Sequence, residues 1–334
     1  MPSTILGLDI GGANLKAAIP GGPAVTVPFA LWKESDRLPQ ILAEVCRRFP
    51  AFEQLAVTMT GELCDCFPSK RDGVEQILAA VEAIADARPI RVWSTAGKFL
   101  TLQAAKTDWR KVAAANWHAL ATWVGATLAP QGPALLLDLG STTMDLIPLK
   151  DGRPASRGLT DPERLRLGEL LYTGVRRTPV CSFWNACPGL AAEFFATTLD
   201  VYLILGAIPE DETDTATADG RPATRTHAHA RMSRMLGGDG SEIPERETLR
   251  LAEQVRDLQW QAIVTAVRTV YEAMNRTVAT LITAGSGDWL LHPLREFPEF
   301  AAARYCSLSE HLGSAGSSAA PAVAVAHLAQ ESSL

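Results

Sequence analysis

Two short stretches of the sequence pair a carboxylate with a small-residue turn. In ILGLDIGGANLKAA (residues 5–18) an apolar run reaches Asp9, turns at Gly11 and Gly12, and continues through Asn14 and Lys16. In ALLLDLGSTTMDLIPL (134–149) a second apolar run reaches Asp138, then Gly140, Ser141, Thr142 and Thr143. The two align at one constant offset, Asp9 on Asp138 and Asn14 on Thr143. A tight turn after a strand leaves backbone N–H groups pointing outward, and glycine lets an anion come close to them. A carboxylate beside such a turn suits Mg²⁺, which takes one or two carboxylates and completes its shell with water and phosphate oxygens. The expected chemistry is binding of a diphosphate group. Asp9 and Asp138 serve as metal ligands and catalytic carboxylates, while Gly11, Gly12, Asn14, Lys16, Gly140, Ser141, Thr142 and Thr143 form the cradle. Either stretch alone reads as an ordinary β-hairpin; the repetition argues for a site. A third turn, AGSGDWLL (284–291), places Gly285, Ser286 and Gly287 at an expected helix start, where N–H groups also attract anions.

The elements holding these turns follow from hydrophobic spacing. Strands are expected at 4–9, 15–19 and 24–28, a helix at 36–49, a strand at 55–60, a helix at 74–87 and a strand at 90–94. An apolar helix at 117–129 leads to a second meander at 134–158. A long amphipathic helix at 244–275, a strand–turn–helix at 278–291 and a last apolar helix at 318–330 follow, and 209–226 reads as loop. The fold class is therefore α/β with duplicated βββαβαβα cores. A chain of 334 residues exceeds the roughly 250–300 that one hydrophobic core serves. Two domains are expected, 1–107 and 108–316, with a C-terminal helix within 317–334 packing back on the first.

The net charge of −6, without a basic stripe, argues against a nucleic-acid partner. No apolar run approaches the roughly 18 residues of a membrane span, and no basic, cleavable leader is visible, so a cytoplasmic location is expected. Six scattered cysteines fit reduced structural thiols better than a zinc site. His227 and His229 would point about 200° apart on a helix, so a shared metal would require a loop or strand there.

The loops at 9–16, 138–145 and 284–289 resemble the two phosphate loops and the adenosine loop of the actin-like, sugar-kinase and Hsp70-type superfamily. The resemblance implies a two-domain actin-like ATPase (ribonuclease H-like) fold closing over a phosphorylated ligand, with Mg²⁺ and a nucleotide as candidate cofactors. Three further stretches narrow it: VTMTGELCDCFPSKRDGV (57–74), YTGVRRTPVCS (172–182) and TADGRPATRTHAHARMSRMLGGDG (217–240). They resemble the hydantoinase/oxoprolinase-like proteins encoded with tetrahydromethanopterin-linked one-carbon pathways.

That resemblance implies a transferase of methanofuran biosynthesis. A phenolic γ-glutamyl-tyramine or tyrosine-type acceptor would be joined to an aminomethylfuran-methyl diphosphate, with pyrophosphate released. Thr60 would touch substrate, and Glu62 would orient or deprotonate the phenol, or bind the furan's ammonium. Arg177 would meet the acceptor's carboxylate or brace the loop before its Thr-Pro turn. Asp145 would assist the metal, or be solvated or structural. Two other readings use the same loops: an ATP-dependent small-molecule kinase, and a non-catalytic nucleotide-binding assembly protein. The apolar helices at 117–129 and near the C-terminus would supply either a core or a homodimer interface.

Overall fold

The computed structural model describes residues 4–332; residues 1–3 and 333–334, at the outer ends of the expected domain segments, lie outside it. The first sheet contains β1 (Ile5–Ile10), β2 (Asn14–Ala18), β3 (Ala24–Pro28), β4 (Gln54–Met59), β5 (Ile90–Ser94) and β6 (Lys98–Thr101). Their order is β3-β2-β1-β4-β5-β6. The meander β1–β2–β3 is antiparallel, β1, β4 and β5 run parallel, and β6 returns antiparallel. Every residue of β1 is buried, as expected of a central strand covered on both faces. Parallel neighbours need crossovers. The helix Leu38–Cys46 lies on the path from β3 to β4, and Lys70–Ile84 on the path from β4 to β5. The latter starts at Ser69, whose hydroxyl accepts the Asp72 N–H as an N-cap.

The second sheet repeats the plan with β7 (Pro133–Leu139), β8 (Met144–Lys150), β9 (Arg153–Pro154), β10 (Leu170–Leu171), β11 (Thr280–Ala284) and β12 (Arg304–Ser307). Its order is β10-β8-β7-β11-β12, with β9 also on β8. β7 and β8 form the hairpin, and β7, β11 and β12 run parallel. The long connection from β10 to β11 carries the helices Thr198–Ile204, Arg225–Met235 and Glu245–Ala273. This is the duplicated actin-like α/β arrangement that the sequence leads one to expect.

Two helices join the halves. Ala320–Glu331 packs on β1, β2 and β4, while Asn116–Leu128 packs mainly on β8 and β9, and the two touch each other. Their side chains share one buried cluster with residues of both sheets, including Ile5, Ala56, Leu136 and Ile282. Both apolar helices are thus core within this chain. Small residues set their depth. A Cβ on Gly7 would fall 2.1 Å from the carbonyl oxygen of Ala322, and one on Gly125 would fall 2.6 Å from that of Gly152. The expected division at residue 107 falls between two short helices, Leu102–Thr107 and Trp109–Val112. Ala105 and Val112 both belong to the first sheet's core.

Candidate phosphate-binding site

The two aspartates sit at equivalent places. Asp9 is opposite Lys16 in the β1–β2 hairpin and Asp138 is opposite Asp145 in the β7–β8 hairpin. The turns that follow close in the same way: the Gly11 N–H donates to the Asn14 carbonyl at 3.0 Å, and the Gly140 N–H to the Thr143 carbonyl at 2.9 Å. Those two N–H groups are therefore used within the turns. The N–H groups of Gly12, Ala13, Ser141 and Thr142 have no protein acceptor among the described residues, and they are the donors open to an anion.

The matched partners differ in chemistry. Lys16 Nζ lies 3.1 Å from Asp9 Oδ2. Burial pulls the Lys16 ammonium down, but Asp9, Asp138 and Asp145 outweigh it and hold the group above the usual lysine value. Asp145 is instead engaged by the fully buried Arg164 at 2.6 Å, whose guanidinium lies 4.0 Å over the Trp117 ring. Asp145 is thus held in an ion pair with a buried guanidinium and is not solvated.

The third glycine turn lies directly on the turn that follows Asp138. Gly285 has φ +92°, and a Cβ there would fall 2.5 Å from Asp138 Oδ1. The Gly287 N–H donates to the Leu139 carbonyl at 2.8 Å. Gly285 is thus brought to Asp138 and Gly287 to Leu139, but the Gly287 donor is already used and the helix beyond it, Asp288–Leu291, is a single turn. The first half holds a counterpart without a glycine-rich signature in the sequence: the Thr60 N–H donates to the Ile10 carbonyl at 3.0 Å. Gly61 lies against the same loop, where a Cβ would come within 3.2 Å of the Gly11 carbonyl carbon.

A strap covers the second turn. The N–H groups of Val175, Arg176 and Arg177 donate to the carbonyls of Gly140, Ser141 and Ser141 at 3.1, 3.1 and 2.9 Å. Gly174 approaches so closely that a Cβ would sit 2.4 Å from Ser141. The strap delivers Arg177 to the first half, where its guanidinium lies 4.1 Å over the Trp32 ring. No carboxylate pairs with Arg177 among the described residues. Burial lowers its proton affinity, and the neighbouring Cys64 opposes the shift. A cation of this kind, stacked and without a counter-ion, is ready for an anionic ligand.

Glu62 is almost wholly buried, and neither carboxylate oxygen has a hydrogen-bond partner among the described residues. Burial pushes its carboxyl up to about 7, against the pull of Lys70. Lys70 Nζ lies 3.6 Å from Glu62 Oε1 and 3.3 Å from Asp161 Oδ2 of the other half. Tyr172, exposed at this edge, has its phenol raised by burial and by Asp161, Glu62 and Asp145. Lys70 was visible inside the 57–74 motif without a role. Tyr172 likewise opened the 172–182 stretch without a role, and Trp32 and Asp161 carried no signal of their own.

Asp138 is pushed up to about 7, first by burial and then by Asp145, with Asp9 and Asp288 adding to it and Lys16 opposing. Asp9 Oδ1 is buried without a partner. These features fit a cation: an unused buried carboxylate oxygen, and a second carboxyl raised by burial and then by neighbouring negative charge. No three His, Cys, Asp or Glu side chains among the described residues are grouped as a metal cage, so a divalent ion would need ligand oxygens and water to complete its shell. His227 and His229 lie on the helix Arg225–Met235 and bond separately to Thr224 and Thr248, each at 2.9 Å. A cavity of about 370 Å³ between Gly132, Lys150 and Asn275 lies at the opposite end of β7 and β8 from the 140–143 turn, away from this chemistry.

The fold defines a two-half α/β protein of actin-like architecture. The chain belongs to the hydantoinase/oxoprolinase family, whose model matches residues 53–332. It is similar to (4-{4-[2-(γ-L-glutamylamino)ethyl]phenoxymethyl}furan-2-yl)methanamine synthase of Methanocaldococcus jannaschii, with 32% identity covering 99% of each chain. Among solved structures, nucleotide-free acetone carboxylase shares the fold at TM-score 0.55 and 10% identity, covering 98% of this chain and 70% of that one. An archaeal actin homolog, Ta0583, aligns with 99% of this chain and 100% of its own at TM-score 0.47 and 13% identity. No helix among the described residues is long and apolar enough to cross a membrane.

Proposed function

We propose that this protein is an ether-forming transferase of methanofuran-type cofactor biosynthesis. It joins a phenolic γ-glutamyl-tyramine or tyrosine-type acceptor to an aminomethylfuran-methyl diphosphate and releases pyrophosphate. The observation that carries this reading is the full-length similarity to a protein named as the synthase of such an ether. The site supports it with two open anion-binding turns, a free guanidinium and a buried carboxylate in one cleft.

In this reading Gly12, Ala13, Ser141 and Thr142 donate their N–H groups to the diphosphate, with Lys16, Asn14, Thr60 and Thr143 around it. Asp9 and Asp138 would hold Mg²⁺, which when bound neutralises charge on the leaving diphosphate. Arg177 meets an anionic group of the substrate. Glu62 takes the proton from the phenol hydroxyl. The phenol oxygen forms its bond to the furfuryl CH₂, and the CH₂–O bond to diphosphate breaks with its electron pair leaving on pyrophosphate. Oriented donors at the leaving group and correct placement of the two reactants are the main contributions available to the protein.

The test supplies the furan diphosphate and the phenolic acceptor to purified protein with Mg²⁺, and follows pyrophosphate and the mass of the ether, beside an ATP-only control. Ether formed without ATP is the expected result. ATP turnover or a phosphorylated acceptor, with no ether, would replace this reading by the kinase one.

A further inference from the structure

Lys70 opens the helix that follows the Glu62 turn. Gly73, in the first turn of that helix, approaches Glu62 so closely that a Cβ would fall 2.4 Å from the Glu62 carbonyl oxygen. The helix start and the Glu62 turn are therefore packed as one unit. From there the Lys70 ammonium reaches Glu62 Oε1 at 3.6 Å and, across the cleft, Asp161 Oδ2 at 3.3 Å. Asp161 begins the helix Asp161–Leu167 of the second half. The groups facing Glu62 are Lys70 on the helix, Cys64 on its own loop, and Asp161 and Tyr172 from the other half. Neither Glu62 oxygen has a hydrogen-bond partner among the described residues; the attraction of Lys70 is the largest favourable interaction that its charge receives, and Asp161 competes for Lys70.

We propose that Lys70 is the positioning residue for Glu62: its ammonium, shared with Asp161 across the cleft, holds the Glu62 carboxylate charged and placed to accept a proton from a hydroxyl acceptor. The identity of that acceptor rests on the ether-forming reading; the coupling of Lys70, Glu62 and Asp161 does not. The proton passes from the acceptor oxygen to Glu62, and Lys70 keeps all of its own.

Two substitutions should act in opposite directions. Without the Lys70 charge, a buried carboxylate loses its counter-ion and holds a proton more tightly. Without the Asp161 charge, Lys70 belongs to Glu62 alone, and the carboxyl gives up its proton more readily. The Glu62 carboxyl band is followed in the free protein by isotope-edited infrared spectroscopy, with Glu62→Gln as the blank. Its titration is compared in wild type, Lys70→Met, Lys70→Arg and Asp161→Asn. The midpoint should rise by about one to two pH units in Lys70→Met, fall in Asp161→Asn, and stay near wild type in Lys70→Arg. A midpoint unmoved in folded Lys70→Met and Asp161→Asn overturns the proposal; should Lys70→Met not fold, Asp161→Asn decides it. With both substrates present, the acid limb of the pH–rate profile should move in the same directions. Midpoints that move while no ether forms leave the Lys70 assignment standing and remove the ether-forming reading.

Discussion

Glu62 and Asp288 occupy the same place in the two halves of the molecule. Thr58 pairs with Asp9 and Ala284 pairs with Asp138, and each acid lies four residues beyond that partner. Asp288 is braced, because one of its oxygens accepts the hydroxyls of Ser307 and Ser309. Glu62 has no such brace. The duplicated frame therefore ties one oxygen of Asp288 to two hydroxyls and ties neither oxygen of Glu62.

That difference has a consequence for stability. The Glu62 carboxyl lies near 7 in the folded protein, above its ordinary value, so the native state holds the proton more tightly than the unfolded chain. Below about pH 4 the group is protonated in both states and costs nothing. As pH rises from the unfolded value through 7, the unfolded chain ionises first and stability falls. Glu62→Gln should therefore melt higher than wild type at pH 8, by at most about 3 kcal/mol, with the gap closing towards pH 4. Thermal melts across that range test the sign. An equal gap at both ends would show that Glu62 ionises freely in the fold.

The strands and turns around Asp9 and Asp138 were legible in the sequence because their signals are local: an apolar run, a carboxylate, then glycine or hydroxyl residues. β6, β10 and β12 have only four, two and four residues, too few to show a period. The kinship of 58–62 with 284–288 was hidden because the second half carries a long connection before β11 that the first half lacks. Trp32 with Arg177, and Lys70 with Asp161, are contacts between halves, and no spacing along the chain encodes them. For His227 and His229 the sequence posed a condition, a loop or strand for a shared metal, and the helix Arg225–Met235 does not meet it.

Asp9→Asn and Asp138→Asn should each abolish Mg²⁺-dependent turnover while the far-ultraviolet circular dichroism stays native. Wild type should gain thermal stability from Mg²⁺ with pyrophosphate, as any ligand of the native state confers. Each variant should lose most of that gain. A full Mg²⁺ response in both variants would remove the two aspartates from the metal site.

Asp145 should behave differently although it faces Asp138 across the hairpin. Its partner Arg164 is wholly buried and also donates to the Glu169 carbonyl at 3.0 Å. Asp145→Asn leaves that guanidinium without its carboxylate, and a broken buried pair costs about 3–5 kcal/mol. Urea denaturation should show a loss of that order, with the Mg²⁺-dependent rise in melting temperature retained. Loss of the Mg²⁺ response without loss of stability would return Asp145 to the metal.

Gly7 and Gly125 test how the halves are joined. At Gly7 a methyl group would meet the backbone of the helix Ala320–Glu331, and at Gly125 it would meet the β8–β9 turn. Backbone cannot rotate away as a side-chain end can, so helix or sheet must shift, and overpacking of this kind costs about 1–3 kcal/mol. Gly7→Ala and Gly125→Ala should each lower the urea midpoint by a corresponding amount. The two glycines serve different helix–sheet contacts with different partner atoms, so their losses should add in the double variant. A double variant no less stable than either single one would mean that the two helices shift together as a single body, relieving both contacts at once.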